Sequence, residues 1–279
     1  MDYYQVVCPD LSDTENEILI AELSGLGFES FEETEDAILA YIPANKFSKK
    51  LLEEVGICKK LLKKGLLKTN LIPDQNWNAL WESNYPPVII RNTIYVHAPF
   101  HEEKPGMKYN ILVKPKMAFG TAHHETTFQI LEMMLDEDLK DKEVLDMGCG
   151  TGVFAILAAM RGAKHVDAVD NDPWAYNNSL ENVELNNKNT IIDVYLGDAS
   201  WIKSQNKYDV ILANINKNIL LRDMPFYVPS LKSSGLIFFS GFYERDLEDI
   251  KNKAISLGLE YVKHQTKNDW VAAKFVKME

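Results

Sequence analysis

The residues best suited to chemistry are three glycines and the acids around them. Residues 144–152 read V-L-D-M-G-C-G-T-G, and a second acidic cluster follows at Asp170-Asn171-Asp172. Gly148, Gly150 and Gly152 come directly after a short apolar run and before residues 153–159, which resume at helical spacing. Glycine at such positions permits positive φ and lets a ligand approach the backbone closely. A strand, a tight turn and a helix in that order hold something small.

The acids narrow what that is. Asp146 stands two residues before Gly148, giving D-x-G-x-G-x-G instead of the G-x-G-x-x-G of a dinucleotide site. A phosphate beside Asp146 would be repelled, whereas an amino or sulfonium cation would be attracted. S-adenosylmethionine carries both cations and a ribose diol but no phosphate. Asp170, 22 positions past Gly148 at the end of a second strand, is placed to accept both ribose hydroxyls. Asp198, ending a third strand, is placed near the adenine amino group, although a helix cap or solvated turn explains that acid almost as well.

The elements that must position these residues alternate regularly. Strands are predicted at residues 144–147, 165–169, 191–196, 209–213 and 236–239, with helices at 153–161, 173–187, 219–231 and 245–257 between them. Repeated β-α units of this length give a parallel sheet covered on both faces, with ligand sites at the strand carboxyl ends. Residues 261–266 and 270–276 lie too close for an intervening helix and predict an antiparallel edge hairpin. Upstream, residues 119–127 read F-G-T-A-H-H-E-T-T before an apolar helix at 128–135. The free N–H groups at that helix start suit an anionic or polar ligand group. His123 and His124 do not predict a metal site, because neighbours in sequence point apart on a helix or a strand.

The front of the chain has a different texture. Strands at 4–7, 28–31, 37–42 and 66–72, with helices after Ser12 and over 46–55, predict a β-α-β-β-α-β unit of ferredoxin-like order. Trp77 and Trp81 mark one face of a short connecting helix, and strands at 88–90, 94–96 and 109–113 are expected at the edge of the second domain. Three domains of sequence follow: residues 1–72 for recognition, 73–118 as connector helix and edge strands, and 119–279 for the cofactor.

Composition bounds the partners. The formal charge of the 279-residue chain is −11, and residues 1–60 hold 13 Asp and Glu against 5 Lys and Arg. Such a front end repels nucleic acid and suits a basic partner. No run of about 20 apolar residues is present for a membrane helix. Cys8, Cys58 and Cys149 are widely spaced, with no C-x-x-C. A cytoplasmic monomer with plain thiols is expected.

At the glycine turn and its acids the chain resembles the class I S-adenosylmethionine-dependent methyltransferases. Phe119-Gly120-Thr121 with His124, Thr126 and Thr127, together with Ala213-Asn214-Ile215, resembles more narrowly the family that methylates ribosomal large-subunit protein eleven. The acidic head and the connector at residues 72–77 are similar to that family's front half. The resemblance implies Thr127, Gly148, Asp170 and Asn214 as cofactor contacts, joined by Phe119, Thr126, Asp146, Gly150, Gly152 and Asp198. It implies that the head grips a basic ribosomal protein and that lysine side chains and an N-terminal amine are methylated by in-line transfer, with Asn214 orienting the amine. An amide is not a base, so Asn214 is expected to orient without deprotonating. Ala122 stands where the family has glycine; a positive φ there would cost roughly 1 kcal/mol. Two other readings are methylation of another protein, a small molecule or a nucleic acid, and a non-catalytic S-adenosylmethionine-binding module.

Overall fold

The computed structural model describes residues 2–34, 36–72, 85–115 and 119–279. The chain divides into two compact units, Met1–Asn84 and Tyr85–Glu279. The helix expected around Trp77 and Trp81 lies outside the described residues.

In the first unit the order is β1 (Tyr3–Pro9), α1 (Asp13–Gly25), β2 (Ser30–Glu33), β3 (Ala37–Pro43), α2 (Gly56–Lys63) and β4 (Lys68–Ile72). The sheet runs β2-β3-β1-β4 with every pairing antiparallel. Alternate residues Ile38, Ala40 and Ile42 of β3 point inward and meet Leu19 and Leu23 of α1 and Cys58 and Leu61 of α2. Ser12 starts α1, and Glu15 accepts from its N–H at 3.4 Å and its hydroxyl at 2.8 Å. The helix expected over residues 46–55 does not form. Short turns, among them the 3-10 turn Leu51–Glu53, occupy that stretch, and Val55 is extended before the helix begins at Gly56. The apolar spacing that meets the sheet continues through Cys58, Leu61 and Leu62, so the helix follows the expected stretch without overlapping it.

The second unit is organised by one large sheet. Its strands are β8 (Glu143–Met147), β9 (His165–Asp170), β10 (Ile192–Leu196), β11 (Tyr208–Asn214), β12 (Leu231–Tyr243), β13 (Leu259–Lys267) and β14 (Trp270–Lys277). They run β10-β9-β8-β11-β12-β14-β13, parallel from β10 to β12. The last hairpin is antiparallel, as expected, and β14 slots between β12 and β13. The order reverses between β8 and β11, the switch point at which open α/β sheets bind ligands.

Helices cover both faces. Val144, Leu212 and Phe238 share one core with α3 (Glu125–Met134), α4 (Val153–Met160) and α5 (Pro173–Leu185). Their neighbours Leu145, Ile211 and Phe239 point the other way, into a core with α6 (Lys217–Ser230) and α7 (Leu247–Ser256). Continuous apolar strands are what burial on both faces demands. The strands expected at the edge of the second domain lie in the second unit and form a three-stranded sheet of their own, β5 (Val88–Ile90), β6 (Ile94–His97) and β7 (Tyr109–Leu112). Asn186, directly after α5, bonds the backbone of its last strand: it accepts from the Leu112 N–H at 3.0 Å and donates to the Leu112 carbonyl at 2.7 Å.

One buried charge ties β9 to β11. Asp167, 1% exposed, accepts from the Tyr208 hydroxyl at 2.6 Å and from His165 at 3.0 Å, and it pairs with Lys207. These partners together hold its carboxyl below the usual range against the opposing effect of burial. Replacing one member of such a network strands the others. Asp167→Asn is expected to lower unfolding stability by roughly 2 to 3 kcal/mol, because Lys207 keeps its charge without a partner; urea unfolding checks this, and a loss below about 0.5 kcal/mol would contradict it.

Candidate active site

The glycine turn leaves the end of β8 and enters α4. Gly148, Gly150 and Gly152 all have positive φ, at 70°, 56° and 77°. Their neighbours require glycine. A Cβ on Gly150 would lie 2.4 Å from the Phe119 carbonyl oxygen, and one on Gly152 would lie 2.5 Å from the Ser179 hydroxyl. The turn is thus shaped by packing against the 119–124 loop and α5, as well as by any ligand. Two hydrogen bonds seal the loop contact: Thr151 N–H to the Phe119 carbonyl at 2.9 Å, and the Thr151 hydroxyl to the Gly120 carbonyl at 2.7 Å.

A cleft of about 600 Å³ opens over this turn at the switch point, within the range of small-molecule sites. Phe119, Thr126, Gly148, Gly150, Asp170, Asp198 and Asn214 line it. Three expected contacts do not line it: Thr127 and Asp146 are buried, and Gly152 is packed against Ser179. Asp170 is held at the mouth, accepting from Gly150 N–H at 2.9 Å and Asp172 N–H at 3.0 Å. Each carboxylate oxygen keeps lone pairs for a second donor. Asp198 accepts from the Ser200 N–H at 2.9 Å and hydroxyl at 2.6 Å, and these bonds hold its carboxyl below the usual range. Asn214 ends β11 and donates Nδ2 to the Thr127 hydroxyl at 3.3 Å.

The loop before α3 is braced by its histidines. His124 caps α3, taking the Thr126 N–H at 3.3 Å and bonding the Thr126 hydroxyl at 2.8 Å. His123 turns away to the Pro86 carbonyl at 2.8 Å. Between the loop's start and these histidines, Ala122 is fully buried with φ 66°. The left-handed conformation is therefore adopted by a residue with a Cβ, at a cost of roughly 1 kcal/mol.

Several contributors were not singled out from the sequence. Asn178 and Asn182 of α5 join Asn186 in holding the approach to the 119–124 loop. Asn182 accepts from Lys114 N–H at 2.9 Å and donates to the Thr151 carbonyl at 2.9 Å, and Asn178 donates to the Lys114 carbonyl at 3.2 Å. Their i, i+4, i+8 spacing is a legible signal of one helix face. Trp270 and Gly241 also line the cleft, brought in by strands far along the chain.

The donor set tests which cofactor fits. Asp170, Asp172, Asp198 and Asp223 all line the cleft. Among its described lining residues the only Lys or Arg is Arg222, bound to Asp223 through two bonds of 2.6 Å and 3.0 Å. Beneath the turn, Asp146 uses one oxygen to accept from Ala155 N–H at 3.1 Å, while Oδ1 is buried without a donor. Acidic walls of this kind repel phosphate and suit a cationic, diol-bearing ligand.

The sheet order, the switch-point cleft and its acidic wall define a class I S-adenosylmethionine-dependent methyltransferase. Within that class the chain belongs to the family described as Ribosomal protein L11 methyltransferase (PrmA), whose family model matches residues 6–278. It is 46% identical over 267 residues, 95% of each chain, to a Ribosomal protein L11 methyltransferase of Phocaeicola vulgatus. It is 35% identical over 268 residues to that of Chlorobaculum parvum, covering 92% of this chain and 91% of the relative. The crystal structure of ribosomal protein L11 methylase from Lactobacillus delbrueckii subsp. bulgaricus is similar with a TM-score of 0.62 and 26% identity, covering 70% of this chain and 100% of that one.

Burial pushes the Asp146 carboxyl up to about 7. An acid raised in the folded state binds more protons there than in the unfolded chain, so its contribution to stability is full below about pH 4 and is lost as pH rises toward 7. Asp146→Asn removes that dependence. The variant is expected to gain about 2 to 3 kcal/mol relative to the parent between pH 5 and pH 8 in urea unfolding; a difference that stays constant across this window would contradict the assignment.

Proposed function

We propose that this chain transfers methyl groups from S-adenosylmethionine to amines of ribosomal protein L11, namely lysine side chains and the N-terminal amine. The observation that carries the reading is Asn214, an amide at the end of β11 lining the cleft beside the acidic cofactor wall, in a chain that belongs to the L11 methyltransferase family.

The bound cofactor supplies an electrophilic methyl carbon next to a sulfonium. Asp170 takes the ribose hydroxyls on the lone pairs its backbone bonds leave, and Asp198 takes the adenine amino group. Asp146 contributes negative charge from behind the glycine turn, while Phe119, Thr126 and Thr127 shape the loop side of the site. Asn214 holds the acceptor. Its Nδ2 is engaged by Thr127, which turns Oδ1 toward an incoming N–H. In-line displacement needs the amine lone pair behind the carbon–sulfur bond, so orientation supplies much of the rate. A lysine must first lose its proton, which costs about 4 to 5 kcal/mol at neutral pH from a reference pKa near 10.4. The positive charge of a bound sulfonium beside the acceptor would lower that cost by disfavouring a second cation there.

The first unit acts as a ferredoxin-like recognition module spanning residues 1–72. Its antiparallel β2-β3-β1-β4 order and its excess of acids support this reading, since a basic ribosomal protein is the partner such a surface attracts. The cofactor domain spans residues 119–279, and the protein works as a monomer in the cytoplasm. Among the described residues no helix is long and apolar enough to cross a membrane.

Incubation with methyl-labelled S-adenosylmethionine and separated large-subunit ribosomal proteins tests the reading. Label is expected in lysines and the N-terminal amine of L11; label in another protein, or in none, overturns it. Asn214→Ala should lower the transfer rate roughly 100-fold, the scale of lost orientation. A full rate in that variant would remove Asn214 from its role.

A further inference from the structure

Besides its acids, the cleft is lined by the rings of Phe119, His124 and Trp270. The rings form a chain: Phe119 to His124 at 6.2 Å and 68°, His124 to Trp270 at 4.7 Å and 70°, and Trp270 to Tyr243 at 4.1 Å and 34°.

Trp270 is held by several independent contacts. It opens β14 and pairs in register with Tyr243 of β12 and Lys267 of β13. The turn before it has positive φ at Asn268 and Asp269, 48° and 64°, the geometry of a tight two-residue hairpin. Helix α3 fastens the backbone of this turn: Gln129 donates to the Trp270 carbonyl at 3.1 Å, and Asn268 donates to Glu125 at 2.8 Å. A bulge at Gly241 bends β12 toward this end, as bulges beside active sites do. In the sheet Asn214 stands beside Ser240, and Ser240 beside Ala272 of β14. Two strand spacings, about 10 Å, therefore separate the strands that carry the amide and the indole, and both side chains line the cleft.

The surroundings are acidic. Asp269 precedes Trp270, its carbonyl accepts from Glu244 N–H at 2.8 Å, and Glu125 is bound to the same turn. Tyr243 carries the Arg245 guanidinium over its ring at 5.0 Å, and of the two stacked rings it is Trp270 that lines the cleft. A π-face suits an amine acceptor chemically. It attracts an ammonium without taking a hydrogen bond from it, whereas a carboxylate there would hold the proton that must leave. Each transferred methyl also removes an N–H that Asn214 can hold but leaves the attraction to a ring intact.

We propose that Trp270 is the acceptor-binding face of the cleft, receiving the ammonium of the incoming amine and of its alkylated product by cation–π attraction. This rests on the amine-methylation reading above. Trp270→Phe keeps a π-face, and Trp270→Leu keeps apolar volume without one. Kinetics with L11 should show a roughly tenfold higher acceptor KM for Trp270→Leu and a change below about threefold for Trp270→Phe. S-adenosylmethionine affinity, read by calorimetry, should stay within about twofold in both. A separate titration of the protein saturated with S-adenosylhomocysteine, using butyltrimethylammonium as the probe, needs no methyl transfer. The probe should bind parent and Trp270→Phe alike and Trp270→Leu at least about fivefold more weakly. Equal binding by the Leu and Phe variants, or cofactor affinity falling in step with acceptor affinity, overturns the proposal. Failure of the parent to methylate L11 while the probe still discriminates the variants would instead refute the functional reading alone.

Discussion

A backbone collision that glycine alone avoids underlies this site. At Gly150 the chain turns with φ 56° so close to the Phe119 carbonyl that any Cβ would overlap it at 2.4 Å. Because the two loops meet there, Thr151 can bond Phe119 and Gly120, and the Gly150 N–H is left aimed at Asp170. The cofactor turn, the 119–124 loop and the second strand's acid are consequently one rigid piece. Rigid supports of this kind are what hold a reacting geometry.

The electrostatics of the cleft follow from what that piece carries. Asp170 is placed by two backbone N–H groups, Asp198 by Ser200 and Asp223 by Arg222. The acids are thus oriented by neighbours and still face the space between them. Asp146 is the exception, since it is buried beneath the turn with its carboxyl raised to about 7. A fold retains such a group at a cost in stability, a pattern common at functional sites. Only a cation near the turn would offset that cost.

Much of this was legible in the residues themselves. The regular spacing of apolar runs between 144 and 257 predicted the parallel sheet and its helices, because buried strands and helices differ in period and length. The glycine turn, Asp170 and Asp198 could be placed because strand ends carry ligand sites in such sheets. Three things were not legible. The helix at Gly56–Lys63 was expected over 46–55, entirely before its actual place, because Leu51, Leu52 and Val55 mimic an amphipathic face. That β5, β6 and β7 pair into a sheet of their own within the second unit was not legible, because nothing local shows which strands pair. Trp270 gave no local signal, since its place in the cleft depends on the β12–β14 pairing. Ala122 is the reverse case: the missing glycine raised the question of a positive φ there, and the positive φ is present.

The central claim is that the acidic wall built around Asp170 binds a phosphate-free, cationic nucleoside cofactor. Calorimetric titration of the parent and Asp170→Asn with S-adenosylmethionine and with an oxidised nicotinamide dinucleotide tests it most directly. The account predicts S-adenosylmethionine binding to the parent, a loss of roughly tenfold or more in Asp170→Asn, as expected for a charged hydrogen-bond partner, and no dinucleotide binding. Dinucleotide binding to the parent, or unchanged S-adenosylmethionine affinity in Asp170→Asn, would contradict it.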